Sequence, residues 1–446
     1  MGYLVKYISF LTSLTLVFCT ALAQTQPGAT ATTDLTLNQI WDKAEHYNKS
    51  IQMQQLHVQS SEEDIKNAKA ERLPEINATG EYARVSNMPL YYNGLFSTPS
   101  QFPVLHNFYR VGGDAYFNLY SGNKTNLKIA EEQTEHQIRE EHKNLTVAEI
   151  KLRAAAYFLE LQRSQIFRQL MLNNIAEQEK QLSRIRQLQK NGVVLKSDVL
   201  RAELQLSRQR LALTQIENDL AIANQKLDIL MGEPDDLKVN PIGQAAGTDS
   251  TTLKTYNDYI AEALSHSYQG KISEQETNLR RLQLKDVKAN VSPKVGLFGN
   301  YAYSYPQIQF YPYGPVLYGL GMAGIRASFS VSALYHNKYK VKASELEFKR
   351  QELEHEDTQD MIRQQVNEAY LRYKEALNRI SVAQTNIQQA TENSRIINNT
   401  YFNQLSLVTD LLEANTQLLQ TRFDLAAAKI AAQMQYYQLQ KVIGNL

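Results

Sequence analysis

The chain has 446 residues, enough for two or three domains, and 43% of them are apolar, enough to support a core. A formal net charge of +1 gives no electrostatic case for binding nucleic acid. A single cysteine excludes a disulfide framework, so packing must hold the chain together.

Residues 1–23 read as an export signal. Lys6 supplies the positive charge, Ile8 to Phe18 is mostly apolar, and Ala21-Leu22-Ala23 before Gln24 is a small-x-small cleavage site. The segment is too short and wrongly flanked for a spanning helix. Cys19 lies inside it; a lipid-acceptor role is open, although Phe18 stands where such sites want a small residue. Without Lys6 the remaining chain balances at 46 basic and 46 acidic groups. No later segment offers 18 consecutive apolar residues, so membrane insertion would require a β-barrel.

From Thr36 to Arg72 the spacing of Leu37, Ile40, Ala44, Tyr47 and Ile51 predicts one helix, ended by Pro74. Residues 76–91 and 107–121 then turn rich in Tyr, Phe, Gly and Asn. In the second piece Tyr109, Val111, Gly113, Ala115, Phe117 and Leu119 alternate with Arg110, Gly112, Asp114, Tyr116, Asn118 and Tyr120. One apolar and one polar face over that length is the signal of a barrel strand. A Pro- and aromatic-containing loop, Met88 to His106, joins the two pieces.

Lys124 to Met231 contains no proline and one glycine, Gly192. Leu145, Ala148, Leu152, Ala155, Leu159 and then Leu213, Ile216, Leu220, Ala223, Leu227, Leu230 keep the alternating three-four spacing of a coiled-coil seam. The break at 190–198 predicts a hairpin, with Gly192 in the left-handed conformation and Ser197 or Asp198 as the next N-cap. At 1.5 Å per residue, arms at 124–190 and 198–231 would be about 100 Å and 50 Å long.

A polar linker, 233–254, follows, and the series then repeats. Helix 256–290 ends at Pro293, strand-like pieces 294–306 and 317–332 flank an aromatic loop from Pro306 to Tyr318, and helices 338–400 and 407–444 form a second hairpin. Ala44 corresponds to Ala263, Gly80 to Gly299, and Ala156-Tyr157 to Ala369-Tyr370; Ser197-Asp198-Val199-Leu200 corresponds to Thr409-Asp410-Leu411-Leu412. The offset drifts only from 219 to 212, as expected of a duplication with units 24–232 and 255–446. Each long helix can be lined along one half by the helix before the strands and along the other by its hairpin partner. Four strands cannot close a barrel, and an open edge in lipid leaves backbone groups unsatisfied, so the chain should oligomerise. A dimer would give eight strands and an interior filled by side chains; a trimer gives twelve, enough for an open lumen, and is the preferred reading.

The order helix, two strands, hairpin, repeated over about 36–444, resembles the TolC-like outer-membrane efflux proteins. The two tip signatures are its most specific elements: Gly192-x4-Ser197-Asp198-Val199-Leu200-x-Ala202 and Tyr401-x8-Asp410-Leu411-Leu412-x-Ala414. The resemblance implies a mainly α fold with a β-barrel part: a homotrimer closing a 12-stranded barrel in outer-membrane lipid, continued by an α-helical tunnel across the periplasm of a Gram-negative cell. It implies a periplasmic adaptor and an inner-membrane pump as partners, in tripartite efflux or type I secretion, with no reaction and no cofactor. It places a pore constriction at Asp410, Glu413 and Tyr401, where carboxylates around one axis would favour cations. Asp410 also suits an N-cap. Some members latch the closed tip through an Arg before this helix, paired with acids and a Tyr; here Tyr401 is retained and the Arg position is Ser406. The implied adaptor-docking tips are Gly192, Val193, Leu195, Ser197, Asp198, Leu405 and Ser406; packing of the turn is the plainer reading of the same residues. A structural or adhesive coiled-coil protein anchored by a small barrel is the competing class. The eight histidines form no metal-binding pair, and no phosphate loop or nucleophile elbow is present in the sequence.

Overall fold

The computed structural model describes residues 32–235, 237–243, 253–309 and 313–446. The export signal and Cys19 therefore lie outside the described residues, as does part of the linker. Two long helical hairpins run side by side, α3 (Lys124–Lys190) with α4 (Lys196–Met231), and α7 (Ala333–Phe402) with α8 (Val408–Val442). Their seams are those read from the spacing: Ala148, Ala155 and Leu159 in α3, and Ala223, Leu227 and Leu230 in α4, are buried. No helix among the described residues is long and apolar enough to cross a membrane.

The helix expected at 36–72 is two helices, α1 (Leu37–Tyr47) and α2 (Lys49–Ala70). Asn48 interrupts them in an extended conformation, its side chain accepting from the Ser50 amide at 2.9 Å. At the equivalent place, 219 residues on, Ser267 divides α5 (Tyr256–His266) from α6 (Tyr268–Ala289) and accepts from Gly270. In both cases a short polar side chain satisfies the amides of the new helix and lets the chain turn. The lining of the long helices follows the expectation: α2 and α4 pack on α3, and α6 and α8 pack on α7. In addition α6 and α8 both pack on α3, which joins the two halves.

The linker is not wholly irregular. Within it β6 (Lys238–Pro241) pairs in parallel with β1 (Thr32–Leu35), Thr33 opposite Val239. Buried Asn224 of α4 anchors this pair by mimicking a strand: its Oδ1 accepts from the Val239 amide at 2.8 Å, and its Nδ2 donates to the Leu237 carbonyl. The strands abut the largest core cluster, where Leu35, Val239, Ile40, Phe158 and Leu227 are buried together. Trp41 borders it, donating to the Lys151 carbonyl at 2.8 Å and meeting Tyr437 edge-on.

Four long strands form one antiparallel sheet in the order β2 (Glu75–Arg84), β5 (Asn107–Tyr120), β7 (Lys294–Tyr305), β8 (Tyr318–Ser328). The loop from Met88 to His106 holds a small hairpin of its own, β3 (Met88–Leu90) with β4 (Ser100–Phe102). The helices attach at one end of the large sheet, since β5 runs directly into α3 and β8 into α7. The loop at 85–106 and the described parts of the next one, residues 306–309 and 313–317, lie at the other end.

Candidate functional site at the hairpin tips

The two hairpin turns are built alike. At the first, Asn191, Gly192 and Val193 donate to the carbonyls of Gln187, Gln189 and Leu188; at the second, Asn403, Gln404 and Leu405 donate to those of Asn399, Tyr401 and Thr400. Gly192 takes the left-handed conformation with φ of 75°, and Gln404 fills the same position with φ of 64°. This is a helix-terminating motif that glycine enters freely and glutamine enters at a cost.

The helix after the first turn starts at Lys196, two residues before the expected 198, and the helix after the second starts at Val408, one residue after the expected 407. Leu195 and Leu407 occupy the N-cap positions, and Asp198 and Asp410 stand at the third helical position. Each aspartate accepts from the backbone amide of its leucine, at 3.2 Å and 3.1 Å. The N-cap expectation for Ser197, Asp198 and Asp410 is thus corrected: the carboxylates reach back to the cap residue as the second half of a capping box does. The cap residue itself is free to be apolar, and Leu195 and Leu407 are about 70% exposed.

Leu195, Leu405 and Leu407 form the apolar crown of the two tips, with Val193 less exposed beside them. Leu407 was missed in the sequence although it corresponds to Leu195 at the offset of 212. Ser197 is exposed and Asp198 half-buried; Ser406 is half-buried and its hydroxyl meets that of Thr400 at 3.2 Å. Glu413 is exposed one turn beyond Asp410.

Tyr401 takes a different place from the two acids. It is buried in a cluster with Val199, Ala202, Val408 and Leu411, where both hairpins contribute. Burial, and secondarily the nearby Asp198 carboxylate, raises its phenol above the ordinary tyrosine range. Further from the tips the hairpins are joined by amides and a hydroxyl: Asn415 donates to Gln181 at 3.0 Å and Gln205 to Thr416 at 3.1 Å, while Ser394 donates to Asn415 at 3.1 Å within the second hairpin. Within the first hairpin the links between α3 and α4 are ionic instead, Arg186 with Glu203 and Arg210 with Glu179, each at 2.6 Å. These pairs are exposed and each contributes little.

At the opposite end, the sheet is sharply two-faced. Residues directly opposed across the strands share a face. One face carries Ile76, Ala78 and Tyr82 of β2, Tyr109, Val111 and Phe117 of β5, Leu297, Tyr301, Tyr303 and Tyr305 of β7, and Ala323 and Ile325 of β8. The other carries Glu75, Asn77, Glu81, Arg110, Asp114, Asn300 and Arg326. Tyrosines crowd the loop end of the apolar face, with Tyr109 stacked on Tyr305 at 4.8 Å. The Tyr301 ring lies against Gly321, where a Cβ would come within 2.7 Å of it. The outer edges of β2 and β8 meet no strand among the described residues.

Bare apolar stripes run along the rod as well. On α4, Leu200, Leu211 and Ile222 recur every eleven residues on one line of the helix, with Leu204 and Ile229 beside them, all more than half exposed. On α7, Tyr339, Leu346 and Leu353 recur every seven and are equally bare.

Residues 40–233 match the family model described as outer membrane efflux protein. No curated protein sequence matches the chain. Among solved structures, the outer-membrane channel OprN is similar with a TM-score of 0.76 at 14% identity, covering 92% of this chain and 90% of that one. The outer membrane protein VceC from Vibrio cholerae has a TM-score of 0.74 at 15% identity, covering 92% and 96%. CusC has a TM-score of 0.75 at 15% identity, covering 96% of each chain. At these identities the likeness is one of fold.

Proposed function

We infer that this protein is a passive exit duct of the outer membrane, because residues 40–233 match the outer membrane efflux protein family and solved outer-membrane channels cover 92–96% of the chain in fold. Family and fold are those of channels, not enzymes. The observation that carries the reading is the sheet, with one face free of charged side chains over its central span and two edges that meet no strand among the described residues. Lipid accepts such a face only if every edge is paired, so copies must join β2 to β8 around a closed barrel. Three copies give twelve strands and a lumen lined by the polar face.

The stripes on α4 and α7 support the same assembly, since each is a seam awaiting a helix from a neighbouring copy. The leader at 1–23 would export the chain, and the helical rod would cross the periplasm. The crowns of Leu195, Leu405 and Leu407, with Val193 and Gly192 between, are the docking surface for a periplasmic adaptor, which connects the duct to an inner-membrane pump. Energy comes from that pump; tripartite efflux and type I secretion use the same geometry. Asp410 and Glu413 of each copy line the inner opening, with Tyr401 packed behind them. Their carboxylates favour cations and resist anions. The tips are closed at rest and separate when the adaptor binds.

Conductance of purified trimer in planar bilayers tests this. A low resting conductance that rises with Glu413→Ala and shifts away from cations fits the account. Full conductance of the trimer alone would overturn the closed tip, and no conductance under any condition, adaptor included, would overturn the duct.

A further inference from the structure

The end of the sheet away from the helices carries a feature that the tips do not explain. From Val295 to Ile325 the sequence holds no Asp, Glu, Lys or Arg, although this stretch includes the whole loop between β7 and β8. A loop standing free in water ordinarily carries charge. Instead, its base turns back over the polar face of the sheet. Ile308 and Arg110, Asn300, Ser304, Leu320 and Met322 together border a cavity of about 400 Å³. All the sheet residues of that set lie on the polar face by register. The base of the loop is fixed: Gln307 and Gly314 exchange two backbone hydrogen bonds of 3.0 Å, and the Tyr318 hydroxyl donates to Gln309 at 3.0 Å.

We propose that the duct has a second constriction, at its outer mouth, formed by Ile308 of each copy standing over Leu320 and Met322. This rests on the trimeric duct inferred above, in which the polar face lines the bore. Ile308 then projects into the bore from each copy, above Arg110 and Asn300. Its side chain is 61% exposed within one copy, so its own sheet leaves it uncovered. A ring of apolar side chains narrows the mouth against bulky solutes while leaving a path for small ones, without any charged latch. The ring would hold the duct against inflow from outside while the inner tip rests closed.

Thiol labelling of intact cells tests this from the outer side, independently of the tip. Cys19 is the only cysteine, so in a Cys19→Ser background an added cysteine stands alone. Asp114→Cys reports the lumen beneath the ring, and Val316→Cys reports the loop exterior. A small impermeant maleimide should label both. A polyethylene-glycol maleimide should label Asp114→Cys more slowly than Val316→Cys by about tenfold or more, as a constriction requires. Adding Ile308→Gly, or the milder Ile308→Ala, should remove most of that difference, with native mass confirming three chains in each variant. Equal labelling of both positions by the polymer would overturn the constriction and leave the duct standing. Failure of even the small reagent to reach Asp114→Cys would contradict its place in the bore, and a particle that is not trimeric would overturn the inference together with the reading beneath it.

Discussion

Asp410 and Glu413 sit one turn apart, yet the structure gives them different work. Asp410 holds the Leu407 amide and so maintains the start of α8, while Glu413 has no such tie to the helix start. Asp410→Ala should therefore weaken the second tip by roughly 0.5–2 kcal/mol, seen as faster hydrogen exchange of the Leu407 to Leu411 amides. Glu413→Ala should leave that exchange unchanged, so any effect on ion selectivity would belong to its charge in the proposed pore. A matching loss of protection in Glu413→Ala would contradict the division.

A second residue-scale prediction concerns pH. Glu131, partly buried in α3, is raised to about 7, first by burial and then by the neighbouring Asp286, Glu132 and Glu135 carboxylates, against which Lys128 acts weakly. The adjacent Glu132 is raised for similar reasons. Such a group binds a proton more tightly when folded than when unfolded. Its contribution is fully present below the ordinary value of 4.5 and is lost as pH rises toward about 7. Glu131→Gln, which keeps the neutral form's shape, should flatten the fall in Tm between mildly acidic and neutral buffer. An unchanged slope would place the pH dependence elsewhere.

At the scale of elements, the tips and the small parallel sheet make separable predictions. Leu195→Asp with Leu407→Asp should abolish capture of the adaptor while native mass and Tm stay near those of the wild type, because both side chains are bare. Asn224→Ala should strand the Val239 amide and Leu237 carbonyl, costing about 1–3 kcal/mol. The sole tryptophan, Trp41, borders the same core and should report the loosening as a shifted emission.

The seams of α3 and α4 were legible because a coiled-coil contact repeats many times along one helix and leaves a period in the sequence. The long strands were legible for the same reason, with a period of two. The breaks at Asn48 and Ser267 were not, since no proline or glycine marks them and the apolar spacing runs through both. Only their equivalence at the offset of 219 offered a clue. The pairing of β1 with β6 had still less to show: four residues each, joined across the length of a repeat, with the register held by one buried asparagine on a third element. At the tips the turn was located correctly from Gly192, but the capping was misassigned because a reaching aspartate and a capping aspartate look alike in sequence.

At the scale of the whole molecule, the proposed duct needs more than one copy. Among the described residues, a lipid-compatible face ends at two unpaired strand edges, and the apolar stripes on α4 and α7 stand bare. The proposed ring of copies would meet both deficits, and in it the polar face would line a bore. The most direct test is the native mass of the protein extracted from outer membranes in mild detergent. The account predicts three chains per particle, losing that mass when Leu346→Glu and Leu353→Glu charge the α7 stripe. A monomer from the membrane, or a protein recovered soluble from the periplasm, would contradict it.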